Sequence, residues 1–561
     1  MNLHDMTPTS LLTWRGWLLT ISMILAMALL FSAKGPMQDI HWDAPIYLER
    51  GKEIAETPAL RDYARHAQVI ADRLPAYKVE TDAYTPYWGF MRLGNALLLA
   101  MVHDWSGGGM TGIQTVFWLY TLIWAMGVVM AAVWAWAMAR YLAPELAPRF
   151  TTWAAVLSVL LYVGSDVCRH MSGNFVAEVP ALLWLAGSAL ALLLAQARRS
   201  LLWAGFSGVL GFALYVTKMD AVLAYIALLA AFAMALLLQD RLRPWWPAFL
   251  ISGASAALLY WVYAWYFWPL PDPRLLLIFA HAHEIAGGMN AVPAFKLYIA
   301  AGGLLWLGLL PAIFLNRRNR ALWFALGWLA LLTLPYLKGL VTGVGQAQVR
   351  MYTLMLPALL LAAVTGLAPI LEWAWRGAAG KVLLSIVLAL AIALVAVSHQ
   401  ETYASLRKLP GGWRLQNLRA FLSPPPYERL HYPLQDLQVI GRALYESGAQ
   451  YVVVPGEDIP EEYLNILAYL GPSPRRSKIE RYAVTPDTAP MAYCGVRAVR
   501  PEDGPVWFCL EAPDAASLEA LTKAGGRVLG LHRTGQDAVN RADSEERLLV
   551  RTPRLLLLQE T

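Results

Sequence analysis

Charge is what this chain has least of. Across 561 residues only 15% of side chains are Asp, Glu, Lys or Arg, while 58% are hydrophobic. A soluble core cannot hide that much apolar surface. Cysteine is scarce as well: Cys168, Cys494 and Cys509 allow at most one useful pair, which excludes a disulfide-built scaffold. No internal repeat of solenoid type and no low-complexity segment is present. The net charge of +6 is modest and gathered in a few connections, so it reports topology and not nucleic-acid binding. A signal-peptide pattern is missing too. The first apolar run, Trp14 to Ala33, is too long for a signal core and ends in Phe-Ser-Ala, a poor cleavage site, so it reads as a retained helix.

Long hydrophobic runs fill the place of the missing charge. After the first they lie near 111–139, 151–163, 175–196, 201–217, 221–238, 246–268, 293–315, 321–337, 351–370 and 382–398. The pattern predicts a polytopic α-helical membrane protein with about 11 transmembrane helices. The run at 151–163 is short for a span and must thin the bilayer, extend into its flanks, or not be one. Basic residues set the orientation. Arg140 with Arg149, Arg198 with Arg199, Arg241 with Arg243, Arg317 with Arg318 and Arg320, and Arg376 with Lys381 occupy every second connection. By the positive-inside rule those connections and the N-terminus are cytoplasmic, and the remaining loops face the periplasm of a bacterium, across its inner membrane. Tryptophans at run ends (Trp134 and Trp136, Trp245 and Trp246, Trp373 and Trp375) read as interfacial anchors.

Composition changes near residue 400. From there the chain has soluble proportions and turn clusters such as Ser423-Pro424-Pro425-Pro426. A helix-like stretch at 434–447 leads into Tyr451-Val452-Val453-Val454, with another helix near 460–470. Strand-like pieces follow at 505–510, 527–532 and 547–558, fitting a small α/β or α+β domain. Cys494 and Cys509 both fall in this outward part, where a disulfide is chemically permitted; whether they pair is open.

The ionisable residues kept on the outward side are the functional candidates, because charge in or beside hydrocarbon is costly. The first outward loop opens with His41-Trp42-Asp43-Ala44-Pro45-Ile46-Tyr47. Pro45 suits a first helical position, which puts the cap on Ala44 and leaves Asp43 just outside the helix, free to reach a reaction centre. The plainer reading makes Asp43 a helix-start residue favoured by the dipole. Further along, Glu80-Thr81-Asp82-Ala83-Tyr84-Thr85-Pro86-Tyr87-Trp88 precedes an apolar half-helix to Val102 that carries Arg92 and lies along the interface. Its two carboxylates either bind a cation or a sugar hydroxyl or are simply solvated.

Four more outward positions stand out. Glu178 enters a hydrophobic helix with no compensating neighbour in sequence, so it needs a partner across the bundle, Arg169 or Lys218. A structural ion pair and a catalytic role both satisfy that need. Lys218, in the tight turn Val216-Thr217-Lys218-Met219-Asp220, either receives a phosphate or snorkels. His281-Ala282-His283-Glu284 in the 269–292 loop is a metal set without a third spaced ligand, a flap over substrate, or a polar loop. Lys338 to Arg350 brackets Gly339, Gly343 and Gly345 and ends at the start of a span, where a guanidinium suits a lipid phosphate.

Taken in order, these residues resemble the GT-C glycosyltransferases that use polyprenyl-phosphate sugars, among them protein O-mannosyltransferases and the aminoarabinose transferases of lipid A. The likeness rests on His41 to Tyr47, Thr85-Pro86-Tyr87-Trp88, Gly173-Asn174 through Ala177-Glu178-Val179-Pro180, Tyr215-Val216-Thr217-Lys218, and Arg350-Met351-Tyr352-Thr353-Leu354-Met355-Leu356-Pro357. It implies a GT-C-like membrane domain over 1–400, with a long periplasmic loop at 34–110, and a periplasmic domain over 401–561. Ala44 stands where the best-known members pair Asp with Glu, and the Trp-Trp-Asp signature of oligosaccharyltransferases is missing, with Trp413 alone after Gly411-Gly412. A divalent cation, Mg2+ or Mn2+, is therefore left open.

The resemblance implies inverting transfer to an acceptor hydroxyl on a glycan, lipid or protein. Asp43 would be the general base, with Glu178 or Asp82 orienting sugar or acceptor. Arg350, Lys218, Arg169 and Lys338 would hold the donor phosphate, and His41, Tyr84, Tyr87, His283 and Glu284 would line the acceptor or sugar site. A rival reading, a flippase or transporter of the lipid-linked sugar, usually needs repeats and broken helices at mid-membrane; here the candidate charges gather at one face.

Overall fold

A computed structural model of the chain describes residues 14–32, 43–56, 92–237, 242–267, 319–342, 349–400, 434–447, 451–454, 478–480, 506–511, 528–533, 547–551 and 555–559, with isolated positions between 302 and 313. Its helices are α1 (Trp14–Ser32), α2 (Asp43–Glu56), α3 (Leu93–Ser106), α4 (Gly109–Leu142), α5 (Pro148–Val163), α6 (Asp166–Met171), α7 (Glu178–Arg198), α8 (Leu201–Thr217), α9 (Val222–Leu237), α10 (Leu242–Phe267), α11 (Arg320–Thr342), α12 (Leu356–Trp375), α13 (Ala378–Gln400) and α14 (Leu434–Ser447). Two 3-10 segments, Met219–Ala221 and Val349–Met355, precede α9 and α12. The chain divides into two compact units. One comprises Met1–Pro36, Trp118–Tyr263 and His283–Tyr427; the other comprises Met37–Phe117, Ala264–Ala282 and Glu428–Thr561.

In the first unit every apolar run of the sequence outside 293–315 is a helix. Five described helices are long and apolar enough to cross a membrane: Gly109–Leu142, Glu178–Arg198, Trp245–Phe267, Tyr352–Trp375 and Ala378–Val395. The others, including Pro148–Val163, Leu201–Thr217 and Arg320–Thr333, are apolar but shorter. The run at 151–163 does extend into its flank, to Pro148, yet at 1.5 Å per residue it still reaches only about 24 Å, below the roughly 30 Å of hydrocarbon. Most of the 293–315 run and the helix expected near 460–470 lie outside the described residues.

Burial sorts the helices. α7 is apolar on all sides and almost wholly buried, as is α12, so these two form the core of the unit. α10 and α13 instead present Leu258, Trp261 and Trp265, and Val382, Ile386 and Leu390, on their surfaces. Apolar faces of that extent suit hydrocarbon and not water. Small residues let the helices approach. A Cβ at Gly208 of α8 would collide with the Ser252 carbonyl of α10, and one at Gly211 would sit 2.7 Å from the Tyr225 ring of α9. Tyr225 and Ser252 share a hydroxyl hydrogen bond of 2.5 Å. Polar contacts of this kind, with close backbone approach, are how helices associate where lipid removes the hydrophobic drive.

In the second unit α2 packs on α3, so closely that a Cβ at Gly51 would sit 2.6 Å from Leu99 Cβ. A six-stranded sheet has the order β2-β3-β1-β4-β6-β5, where β1 is Tyr451–Val454, β2 Lys478–Glu480, β3 Val506–Glu511, β4 Val528–Arg533, β5 Arg547–Arg551 and β6 Leu555–Gln559. β2, β3, β1 and β4 run parallel; β6 is antiparallel to β4 and β5. Of the α/β and α+β alternatives, the parallel centre favours α/β, since parallel strands need crossover connections. α14 covers β5 and β6, burying Leu437, Ile440 and Leu444 at helical spacing. Two sequence expectations are corrected. The piece at 547–558 is not one strand but two, β5 and β6, paired antiparallel. The span expected from 351 begins as 3-10 turns, and its α-helix starts only at Leu356.

The close approach of α8 to α10 makes Gly208→Ala costly. It is expected to lower stability by about 1–3 kcal/mol, because the backbones must separate. A melting curve of the detergent-purified protein checks this, and an unchanged Tm would contradict the packing described.

Candidate active site

The site begins with the hairpin of α7 and α8. Arg199 closes it in the left-handed conformation (φ 49°), and the Ser200 N–H returns to the Ala195 carbonyl at 2.9 Å. Midway, Ser188 Oγ donates to the Ser207 carbonyl at 2.9 Å and Ser207 Oγ to the Ser188 carbonyl at 3.0 Å. Near the mouth, the Trp184 indole N–H donates to Thr217 Oγ1 at 3.0 Å. These bonds fix the register, so the last residues of α8 lie beside the first of α7.

There the Lys218 ammonium sits 3.3 Å from Glu178 Oε1, with the two side chains 1% and 0% exposed. Both helix dipoles favour the arrangement: Glu178 opens α7 at its positive end, and Lys218 follows the C-terminus of α8, its negative end. The link from α6 to α7 completes the surroundings. Gly173 takes φ 69°, a turn a side chain would strain, and Ser172 and Asn174 are buried with it. The 349–355 segment packs against both α6 and α7, with Tyr352 and Thr353 buried. Lys218, one of the two partners open to Glu178, meets it in the structure; the Arg169 side chain lies outside the described ones.

Other candidates are placed by backbone only. Arg350 lies in the 3-10 segment that packs on α6 and α7, Arg169 in α6, and Lys338 in α11. Asp43 is the first residue of α2, in the second unit. This corrects the helix start: Pro45 is the third helical residue and Ala44 is inside the helix. A proline is tolerated there because first-turn N–H groups have no intrahelical partner. A position at the start of the helix is what the plainer reading of Asp43 expected. His41, Asp82, Tyr84, Tyr87, His283 and Glu284 lie outside the described residues, as does Cys494. Among the described residues no three His, Cys, Asp or Glu side chains come together as a metal site.

Asn174 and Thr217, which stood out in the sequence only within motifs, are buried beside Glu178 and Lys218 in the chain, and half-buried Trp184, which the sequence did not single out, donates to Thr217. In the second unit Arg50, Lys52 and Arg92 are buried in the α2–α3 pair, the Arg92 guanidinium carbon 5.5 Å from the Tyr47 ring centroid. Tyr47, Gly51 and Ile54 recur at helical spacing on the face that meets α3, a signal present in the sequence. Burial, and then the Lys52 charge, push the His103 imidazole below its ordinary pKa against the opposing pull of Asp104, which keeps it neutral at neutral pH.

Removing one member of a buried pair strands a charge in a low dielectric, whereas removing both does not. Glu178→Leu and Lys218→Met are each expected to cost about 3 kcal/mol or more, and the double variant less than their sum. A double-mutant cycle on unfolding measures this; strictly additive effects would mean the two groups do not interact.

No protein-family model matches the chain, and no curated protein matches it. Solved structures do. The apo crystal structure of ArnT from Cupriavidus metallidurans aligns over 97% of this chain and 98% of its own, with 14% identity and a TM-score of 0.54. The same protein bound to undecaprenyl phosphate aligns over the same shares, with 12% identity and a TM-score of 0.54. At such identity the likeness is one of architecture: the chain has an ArnT-like, mostly helical membrane fold, as the GT-C resemblance implied.

Proposed function

We propose that this chain is a GT-C glycosyltransferase that moves a sugar from a polyprenyl-phosphate carrier to an acceptor hydroxyl. The reaction takes place at the periplasmic face of a bacterial inner membrane. The observation that carries the reading is the buried Glu178–Lys218 pair at the mouth of the α7–α8 hairpin, in a fold shared with a structure that holds undecaprenyl phosphate. α7 is about 30 Å long and ends in Arg198, so the pair lies a full membrane thickness from the basic turn, on the outward side by the positive-inside rule.

Outside the cytoplasm an activated sugar has to arrive on a lipid, and its phosphate is already a good leaving group. The chemistry then asks for a base at the acceptor and cations at the departing phosphate. Asp43 takes the acceptor hydroxyl proton as the acceptor oxygen bonds to the anomeric carbon. The anomeric C–O bond breaks on the opposite side, its electron pair going to the phosphate oxygen, so polyprenyl phosphate leaves and the configuration inverts. Arg350, with Arg169 and Lys338, holds that phosphate; Asp82 or Glu178 orients the sugar. His41, Tyr84, Tyr87, His283 and Glu284 contact sugar or acceptor. No step is routed through a metal ion.

Lys218 enters through exchange. In the resting protein its charge is matched by Glu178. Arrival of the donor replaces one anion with another: the lipid phosphate takes the ammonium, and Glu178 turns to the sugar hydroxyls. Glu178→Gln, which removes the competing anion, is therefore expected to bind polyprenyl phosphate more tightly while transferring more slowly. Equal affinity in a binding titration would remove Lys218 from the phosphate site.

The reaction itself is tested with labelled polyprenyl-phosphate sugar and purified protein. The native protein should release polyprenyl phosphate, and Asp43→Asn should do so at least about 100-fold more slowly while still binding the lipid. Translocation of intact donor without cleavage would establish a flippase in place of the enzyme, and full activity in Asp43→Asn would remove the base assignment.

A further inference from the structure

The other end of the first unit carries a second gathering of charge that the proposed reaction does not use. α12 leads away from the 349–355 segment for 20 residues, about 30 Å, and ends at Trp375. α5 begins near that end at Pro148 and α13 at Ala378, and both pack on α12. Two cations from different helices lie on the single Trp375 ring: the Arg149 guanidinium carbon at 4.3 Å from its centroid and the Lys381 ammonium at 5.4 Å. Alongside, the Trp136 indole N–H donates to Thr152 Oγ1 at 3.0 Å, and the same ring carries Arg140 at 5.4 Å.

An indole face steadies a cation without neutralising it. Arg149 and Lys381 are both exposed, and among the described residues no carboxylate lies within ion-pair distance of either, or of Arg140. The acids at this end are engaged: Glu372 pairs with Arg376 at 2.8 Å, and Glu145 accepts from Asn319 Nδ2 at 3.4 Å. Like charges held this close make sense around an anion. The N-termini of α5 and α13, each the positive end of a helix, add to the same field. Directly after Lys381, α13 exposes Val382, Leu383 and Ile386, so the cations border a surface that suits acyl chains.

We propose that Arg149, Lys381 and Trp375, with Arg140 beside them, form a binding site for the phosphate of an anionic phospholipid at the arginine-rich face of the membrane. The acyl chains lie along Val382, Leu383 and Ile386 of α13. A free phosphate would satisfy the cations but not this apolar border, and a zwitterionic headgroup would bring its own cation into the cluster.

The test uses the full chain in detergent, titrated separately with phosphatidylglycerol, phosphatidylcholine and inorganic phosphate. Tm is recorded, and bound lipid is counted by native mass spectrometry. Phosphatidylglycerol should bind and raise the Tm while the other two do not. The Arg149→Gln/Lys381→Gln double variant should need roughly tenfold more phosphatidylglycerol for the same shift. Equal response of native and double-variant protein, equal binding of phosphatidylcholine, or a shift with inorganic phosphate alone would overturn the proposal. Neither readout depends on transfer activity.

Discussion

A carboxylate and an ammonium taken out of water 3.3 Å apart constrain everything around them. Either one alone would be a stranded charge in a low-dielectric interior, a far larger penalty than any single packing contact can offset. The pair therefore needs α7 and α8 in one register, and the hairpin supplies it through Ser188 with Ser207, Trp184 with Thr217, and the left-handed turn at Arg199. The tight turn at Gly173 and the 3-10 segment carrying Arg350 pack around the same corner. A membrane bundle could close this corner with leucine at less risk. Retaining two buried charges there points to a function that uses them.

The bundle sorts charge by position along its helices. Arginines and lysines gather at one end, where Arg149 and Lys381 share an indole, and the Glu178–Lys218 pair sits about a helix length away. Between these ends Ser188 with Ser207 and Tyr225 with Ser252 pair their hydroxyls with one another or with backbone carbonyls, which is what hydrocarbon tolerates. Different lipids are proposed for these ends: a phosphate-linked sugar donor for one and the membrane's own anionic lipid for the other.

Much of this was legible in the residue order because the bilayer imposes strong rules. Apolar runs became helices nearly residue for residue, and Glu178 declared its need for a partner simply by opening a hydrophobic helix, with Lys218 among the two cations able to answer it. What the sequence hid was local and cooperative. Pro45 suggested a first helical residue, but proline is equally tolerated later in the first turn, so α2 starts earlier and takes Asp43 with it. The 349–355 segment runs into the span through Leu354 and Met355, and nothing in its composition separates a 3-10 turn from an α-turn. β5 and β6 merged into one apolar stretch because hydrophobicity runs through both sides of a short hairpin. Strand β2 is too short and too polar to announce itself; its place at the edge of the sheet beside β3 makes it a strand.

The central claim is that the Glu178–Lys218 pair is a resting state waiting for a lipid phosphate. A structure of the full chain with polyprenyl phosphate bound tests it most directly. The account expects the phosphate in contact with the Lys218 ammonium and the Glu178 carboxylate turned away from it. A bound lipid whose phosphate lies elsewhere, with the pair still closed, would contradict it.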